Sequence, residues 1–543
     1  MSVTWLRRIP VWGWLWALAS LPALVLRPAW PIDETRYLAV GWDMWRRGDF
    51  LVPHLVGQPY PDKPPLLFWL MHAGWAVVGV SEVWARLMPA LGALLALLLT
   101  ARLARRLWPD RPEVARRAPL LLQACGLFTA WSTFLMFDTL MTACVLAVLL
   151  AALTLARRTL GVAPAAGGVL PALALCGLAL GTAFLAKGPV VLVFVLPALL
   201  LMPLWWPRPE GPHPWRRFRL GLLAAVVIGA AVALAWALPA AARGGPEYGA
   251  AILWGQIARR VAGEPEHLHS QPFWFYAVVL PACVLPLLGW PRLWRALRAQ
   301  HAAPRDDGVR FCLLWLVLPM LVLSLAASKQ EHYLLPVLPA LALLAARALS
   351  GREAPGVRGE TLAAGLLVML PGGAALALRA GWLQAEVVDA QALAVAPAVA
   401  ALLLGAWIAL SRPPTPDAAL LRFALAPALL LVSTLVVFVP AVLPRYDVRP
   451  VALAVADVQA HGRPVAFLGR YRGQFDFAGR LAAPIEQMPA GALQAWEETH
   501  LDGVVVMEPA DRGTALDAVP FAVFPSGFTL WDAAALLSRP PRR

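Results

Sequence analysis

The chain has 543 residues, 60% of them hydrophobic and only 14% charged, with a formal net charge of +14. So apolar a composition excludes a water-soluble multidomain protein and makes the bilayer the solvent. The basicity does not indicate nucleic acid, because Lys and Arg sit in short clusters between apolar runs and form no tract interleaved with aromatics, the pattern of residues that hold cytoplasmic loops in place.

Taken in chain order, apolar runs of roughly the 20 residues needed to cross a bilayer recur as far as position 443. Spans are expected near 11–27, 83–107, 118–136, 138–156, 170–186, 188–206, 218–241, 272–291, 309–326, 333–349, 361–379, 393–411 and 420–443. The first follows Arg7 and Arg8 and resembles a signal peptide, but it has no clear small-residue cleavage site and reads as an uncleaved span. With its start in the cytoplasm, every second loop is rich in Arg, from Arg102, Arg105 and Arg106 through Arg157 and Arg158 to Arg412 and Arg422. The opposite loops mix acids, His, Tyr and Lys, which places a polar site on the outer face. All five cysteines lie in apolar runs without metal-type pairing, so neither disulfides nor a cysteine metal site is expected.

Residues 32 to 79 read as two interfacial helices. One starts at Asp33 and carries too much charge to cross, and the other runs from Leu66 to Val78 with Trp69 and Trp75 as interface anchors. After Pro444 the composition changes. The strand-like runs Val465-Ala-Phe-Leu and Val504-Val-Val-Met flank a helix-like Ala492 to Thr499, so the expected organisation is a transmembrane domain over 1–443 and a small soluble α/β domain over 444–543, outside the cytoplasm.

Four groups of residues could carry chemistry. Ile32-Asp33-Glu34-Thr35-Arg36-Tyr37 puts a carboxylate and a guanidinium on one face of a helix start, although acids also suit any helix N-terminus. In Tyr60-Pro61-Asp62-Lys63-Pro64-Pro65 the following proline keeps Lys63 extended, with its ammonium at the depth of a lipid phosphate; a snorkelling lysine is the plainer alternative. Asp138, Lys187 and Lys329 stand at outer ends of apolar spans. Arg259-Arg260, Glu264, Glu266, His267 and His269 precede an aromatic run, and Asp62 with His269 could hold a divalent ion, a polar loop being the alternative because no spacing here is diagnostic.

Taken together, Asp-Glu-Thr-Arg-Tyr after the first span, Gly48-Asp49-Phe50, Tyr60-Pro-Asp-Lys-Pro-Pro-Leu, Arg86-Leu-Met-Pro-Ala-Leu, Leu185-Ala-Lys-Gly-Pro, His269-Ser-Gln-Pro-Phe-Trp and Ser328-Lys-Gln-Glu-His-Tyr-Leu-Leu-Pro resemble the lipid A aminoarabinose transferase family. These are GT-C membrane glycosyltransferases related to the dolichyl-phosphate-mannose protein mannosyltransferases. The resemblance implies an all-α polytopic membrane fold in a bacterial inner membrane, with the active site on the periplasmic side. It further implies an inverting hexosyl- or pentosyltransferase that takes its sugar from a polyprenyl-phosphate carrier and gives it to lipid A, a glycan or another extracytoplasmic acceptor. By the same resemblance Asp33 is the catalytic carboxylate with Glu34 beside it, Arg36 and Tyr37 support them, and Lys63 holds the carrier phosphate. Tyr60, Asp138 and Tyr333 match further cavity positions, and Lys187 and Lys329 match basic outer-end positions. Two departures stand out: Asp62 occupies a position where the family commonly has Glu, and Gln330, Glu331 and His332 differ from the aminoarabinose enzymes. A transporter or flippase of a polyprenyl-linked lipid is the rival class, but the charges gather at one face and no half-chain repeat is evident.

Overall fold

The computed structural model describes residues 9–160, 168–207, 214–255, 271–300, 306–351, 357–508 and 520–537. Each apolar segment read from the sequence is helical, and among the described residues eight helical stretches are long and apolar enough to cross a bilayer. The chain is a multi-pass membrane protein. The remaining segments are short or broken for local reasons. Val11–Leu26 and Val395–Leu410 have 16 residues each, about 24 Å of helix. The segment near 118–136 is split at Cys125, whose extended backbone separates Pro112–Ala124 from Gly126–Trp131.

The first eight helices in chain order are α1 (Val11–Leu26), α2 (Asp33–Arg47), α3 (Leu66–Val78), α4 (Glu82–Leu107), α5 (Pro112–Ala124), α6 (Gly126–Trp131), α7 (Asp138–Thr159) and α8 (Val169–Lys187). With lipid outside, close approach of backbones does what hydrophobic exclusion does in water. Gly177 and Gly181 of α8 face the helix Pro214–Gly244, and a Cβ on either would lie 2.5 Å from Ile228 or Val232.

Two elements between α1 and α4 do not span. α2 is amphipathic: Tyr37, Leu38, Val40 and Met44 are buried on one side, and Gly48, at φ 64°, closes the helix through Met44 and Trp45 carbonyls. A two-residue hairpin, β1 (His54–Leu55) with β2 (Gln58–Pro59), leads to α3. Trp75 of α3 is not an interface anchor: it is 1% exposed, donates to the Ser81 carbonyl at 2.8 Å and stacks on Phe477 with ring centroids 5.6 Å apart. Trp69, half-buried, donates to the Phe50 carbonyl at 2.7 Å.

Beyond the long helix Pro416–Tyr446 lies the helix Arg449–Ala460 and a five-stranded sheet. Its strands are β3 (Val465–Leu468), β4 (Glu486–Met488), β5 (Val504–Met507), β6 (Ala522–Val523) and β7 (Thr529–Asp532), in the order β4-β3-β5-β7-β6. β3 runs parallel to β4 and β5, while β7 runs antiparallel to β5 and β6. The period-2 alternation gives each face its own core: Val465, Phe467, Val504 and Val506 pack with Val451, Val455 and Phe475, and Ala466, Leu468, Val505 and Met507 pack with Leu493, Trp496 and Leu536. The segment 471–484 of this region lies along α2. Trp42 donates to the Leu481 carbonyl at 3.1 Å, Arg46 donates to that of Ala482, and the Arg480 guanidinium lies 5.3 Å from the Trp42 ring. At Gly473, where φ is +76°, a Cβ would come within 2.8 Å of both Ala39 and Leu55, so only glycine suits both the backbone and the approach.

Candidate active site

A buried charge network fixes where α2 begins. Arg86 of α4 is 1% exposed and reaches the last turn of α1, donating to the carbonyls of Ala23 at 2.7 Å and Arg27 at 2.6 Å. It thereby satisfies acceptors that a helix end would otherwise leave open inside the protein. Arg27, equally buried, pairs with Glu34 and donates to the Thr133 carbonyl at 2.9 Å. The Glu34 carboxylate also accepts from the amides of Trp30 at 3.0 Å and Leu135 at 2.8 Å. Glu82 accepts from the Ala29 amide at 2.6 Å. Glu34 therefore joins the first outer segment to the 133–135 turn. Its oxygens are occupied, and its geometry differs from the adjacent catalytic acid that the resemblance implied.

Asp33, one residue earlier, points the other way. Its side chain is 53% exposed and forms an ion pair with Arg36 one helical turn on. The Arg36 guanidinium lies 5.2 Å from the Tyr37 ring and the Lys63 ammonium 6.0 Å from the same ring, so two cations flank one phenol. Tyr37 and Tyr60 are buried, which raises both phenols well above their ordinary range; Arg36 opposes this at each. The Tyr60 hydroxyl and Arg36 Nε are buried and make no hydrogen bond among the described residues, unlike the saturated Glu34. Such donors suit an oxygen-rich ligand.

A second cluster abuts the first. Phe137 packs edge-on against Tyr37 with centroids 5.0 Å apart, and the next residue, Asp138, opens α7. Asp138 is buried and ion-paired with Lys187 at the end of α8. The Lys187 ammonium lies 5.3 Å from the Tyr333 ring. On the other side of Asp138, His332 Nε2 lies 4.0 Å from Oδ2. The charge of Asp138 reaches Tyr37, so both clusters belong to one polar region. Asp33, Arg36, Tyr37, Tyr60, Lys63, Asp138, Lys187 and Tyr333 thus converge.

Lys329 does not join them as placed: it is 4% exposed and its ammonium is turned to the Gln271 and Ala326 carbonyls at 2.7 and 2.5 Å. It ties the 271 and 326–329 segments together. Among the described residues no three His, Cys, Asp or Glu side chains lie close enough to hold a metal ion. Asp62 is exposed, and His269, with Arg259, Arg260, Glu264, Glu266 and His267, lies outside the described residues. Arg27 and Trp131, which sequence reasoning passed over, carried no usable signal. One reads as the flank of a span and the other as a belt aromatic, yet Trp131 stacks on His332 with centroids 5.6 Å apart.

Comparison with known proteins bears on the sequence as a whole and on the fold. Residues 62–236 match the family model described as dolichyl-phosphate-mannose-protein mannosyltransferase. The undecaprenyl phosphate-alpha-4-amino-4-deoxy-L-arabinose arabinosyl transferase of Pseudomonas aeruginosa strain UCBPP-PA14 is 37% identical over 330 residues, which is 60% of this chain and 56% of that protein. The enzyme of the same description from Pectobacterium carotovorum is 32% identical over 368 residues, covering 67% of this chain and 63% of its own length. The matched region thus spans little more than half of these curated relatives. In fold the likeness is end to end. The crystal structure of ArnT from Cupriavidus metallidurans bound to undecaprenyl phosphate superposes with a TM-score of 0.72 over 100% of both chains at 20% identity, and the apo form with 0.71 over 97% of both. The resemblance read from the motifs holds in sequence over the matched stretch, and the whole chain has the fold of that structure.

Proposed function

We propose that this chain is a glycosyltransferase that takes a sugar from undecaprenyl phosphate, or a similar polyprenyl phosphate, and transfers it to lipid A or a related extracytoplasmic acceptor at the bacterial inner membrane. A 4-amino-4-deoxy-L-arabinose donor is the first to test, because the curated relatives are named for that sugar. The observation that carries the reading is the exposed Asp33 carboxylate beside a cation-lined group of buried phenols, at the end of a membrane helix bundle with this fold.

The chemistry follows from those groups. The bond between the sugar's anomeric carbon and the phosphate oxygen breaks, the electron pair leaves with the polyprenyl phosphate, and the acceptor oxygen bonds to the anomeric carbon from the opposite face. Lys63, Arg36 and Lys187 offset the charge that builds on the departing phosphate, in surroundings where water is sparse and each cation acts strongly. For a hydroxyl acceptor Asp33 takes the proton; a phosphate acceptor is already a nucleophile, and Asp33 then orients it. Glu34 acts indirectly, by holding α2 in place. The active face and the sheet-containing region after residue 444 lie on the periplasmic side in this reading, as the loop charges favour.

The test uses purified protein in lipid nanodiscs with radiolabelled polyprenyl-phosphate sugars and lipid A. Release of polyprenyl phosphate in step with a sugar-bearing product is expected. Passage of intact sugar lipid between leaflets without either product would instead indicate the flippase.

A further inference from the structure

We propose that Arg480 is a positioning residue for the transfer: its guanidinium clamps α2 and α3 together and so sets Asp33, at the start of α2, against Lys63, just ahead of α3. This rests on the function proposed above.

The backbone singles this residue out. Arg480 stands at φ 51°, in the left-handed region. Its N–H donates to the Phe477 carbonyl at 3.2 Å and the Leu481 N–H to that of Asp476 at 3.0 Å, the paired bonds of a Schellman motif, whose left-handed residue is usually glycine. Gly479 is one position too early to serve. A bulky residue held in this conformation costs stability and persists only where the surrounding structure enforces it.

The side chain is exposed, yet it lies back over the protein. Its guanidinium is 3.8 Å from the centre of the Phe477 ring and 5.3 Å from that of Trp42 on α2. Phe477 in turn stacks on Trp75 of α3. One Nη donates to the Phe477 carbonyl, and the other to that of Val80, in the turn between α3 and α4, at 3.4 Å. The charge also reaches Glu82, which holds the Ala29 amide in the network at the start of α2. A planar cation with five donors can touch two rings and two carbonyls at once, as a lysine cannot.

Trp42 lies nine residues along α2 from Asp33, about 14 Å of helix. A tilt of about 5° at the clamp therefore carries the Asp33 carboxylate about 1 Å, a displacement that can cost about a hundredfold in rate. Trp42 and Arg46 keep their bonds to the Leu481 and Ala482 carbonyls without the guanidinium, so the expected loss is smaller, about tenfold.

The test compares full-length wild type and Arg480→Gly in nanodiscs, supplied with radiolabelled polyprenyl-phosphate sugar and lipid A. Glycine removes the guanidinium and suits the backbone, so the melting temperature is expected to hold or rise, while kcat falls about tenfold and the donor KM changes little. A residue that served stability alone would give the reverse, a lower melting temperature with kcat per folded molecule intact. Either that result or an unchanged kcat overturns the proposal. Hydrogen exchange of the amides over 33–47 needs no turnover: faster exchange in the variant is expected, and exchange equal to that of the wild type overturns the clamp. If Arg480→Gly does not fold, Arg480→Asn, which also tolerates the left-handed backbone, takes its place with the same expectations. Wild-type protein that forms no glycosylated product refutes the proposed function itself, and exchange over 33–47 then decides the clamp alone.

Discussion

Arg27 closes on Glu34 seven positions along the chain, and each side chain is only 3% exposed. A guanidinium and a carboxylate buried together tolerate each other well but tolerate solitude poorly. Arg27→Ala leaves the carboxylate uncompensated and is expected to cost about 3–5 kcal/mol of stability. Glu34→Gln keeps most of the hydrogen bonds and is expected to cost less. Thermal unfolding in detergent reads both. The activity per folded molecule of Glu34→Gln should stay near wild type, and its collapse would return Glu34 to the reacting groups.

Asp33→Asn separates the two neighbours. The amide preserves shape but neither accepts the proton of a hydroxyl acceptor nor carries the charge that orients a phosphate acceptor, so transfer is expected to fall about a hundredfold or more. Carrier binding and the melting temperature should change little, because the side chain is half-exposed. Single-turnover assays beside lipid binding resolve the two effects.

Lys63→Ala removes one of the two cations flanking Tyr37. A charge-assisted contact to phosphate is worth about 1.5–3 kcal/mol, so carrier affinity is expected to weaken by roughly ten- to a hundredfold. Lys329→Ala should instead loosen the 271 and 326 segments, whose carbonyls it holds. It lowers the melting temperature more than it raises the donor KM.

Asp476 supplies a pH dependence with a definite sign. Burial pushes its carboxyl up to about 6, with the Tyr471 hydroxyl bond opposing and the nearby Asp43 adding to the shift. A folded value above the unfolded one of about 3.9 means the native protein binds the proton more tightly. Stability is therefore lost as pH rises from about 4 through 6, by up to about 3 kcal/mol, and the loss persists above that range. Limited proteolysis of the region after residue 460 should show more protection at pH 5 than at pH 8. Asp476→Asn should flatten the difference.

What the sequence made legible follows from the kind of signal involved. Apolar length revealed the helices, since nothing else can cross a bilayer, and Val465–Leu468 and Val504–Met507 were visible as buried strands. β7 escaped because four residues, Thr529–Asp532, with a polar residue at each end, carry too little pattern. At the site, adjacency misled. Asp33 and Glu34 sit side by side in the sequence, but successive residues of an α-helix point about 100° apart, so one faces water and the other Arg27. Trp75 misled likewise: tryptophan suits an interface in general, but Phe477 covers this one from 402 positions further along, a partner no local window contains.

The fit of Gly473 against Ala39 and Leu55 gives α2 a splint along its flank, supplied by chain more than four hundred residues downstream. Arg27 and Glu34 brace the same helix at its start. The aspartate that opens α2 therefore inherits its aim from both ends of the polypeptide. A larger side chain at 473 would misdirect it without touching either reagent, and the damage would register as slower turnover on a carrier that still docks.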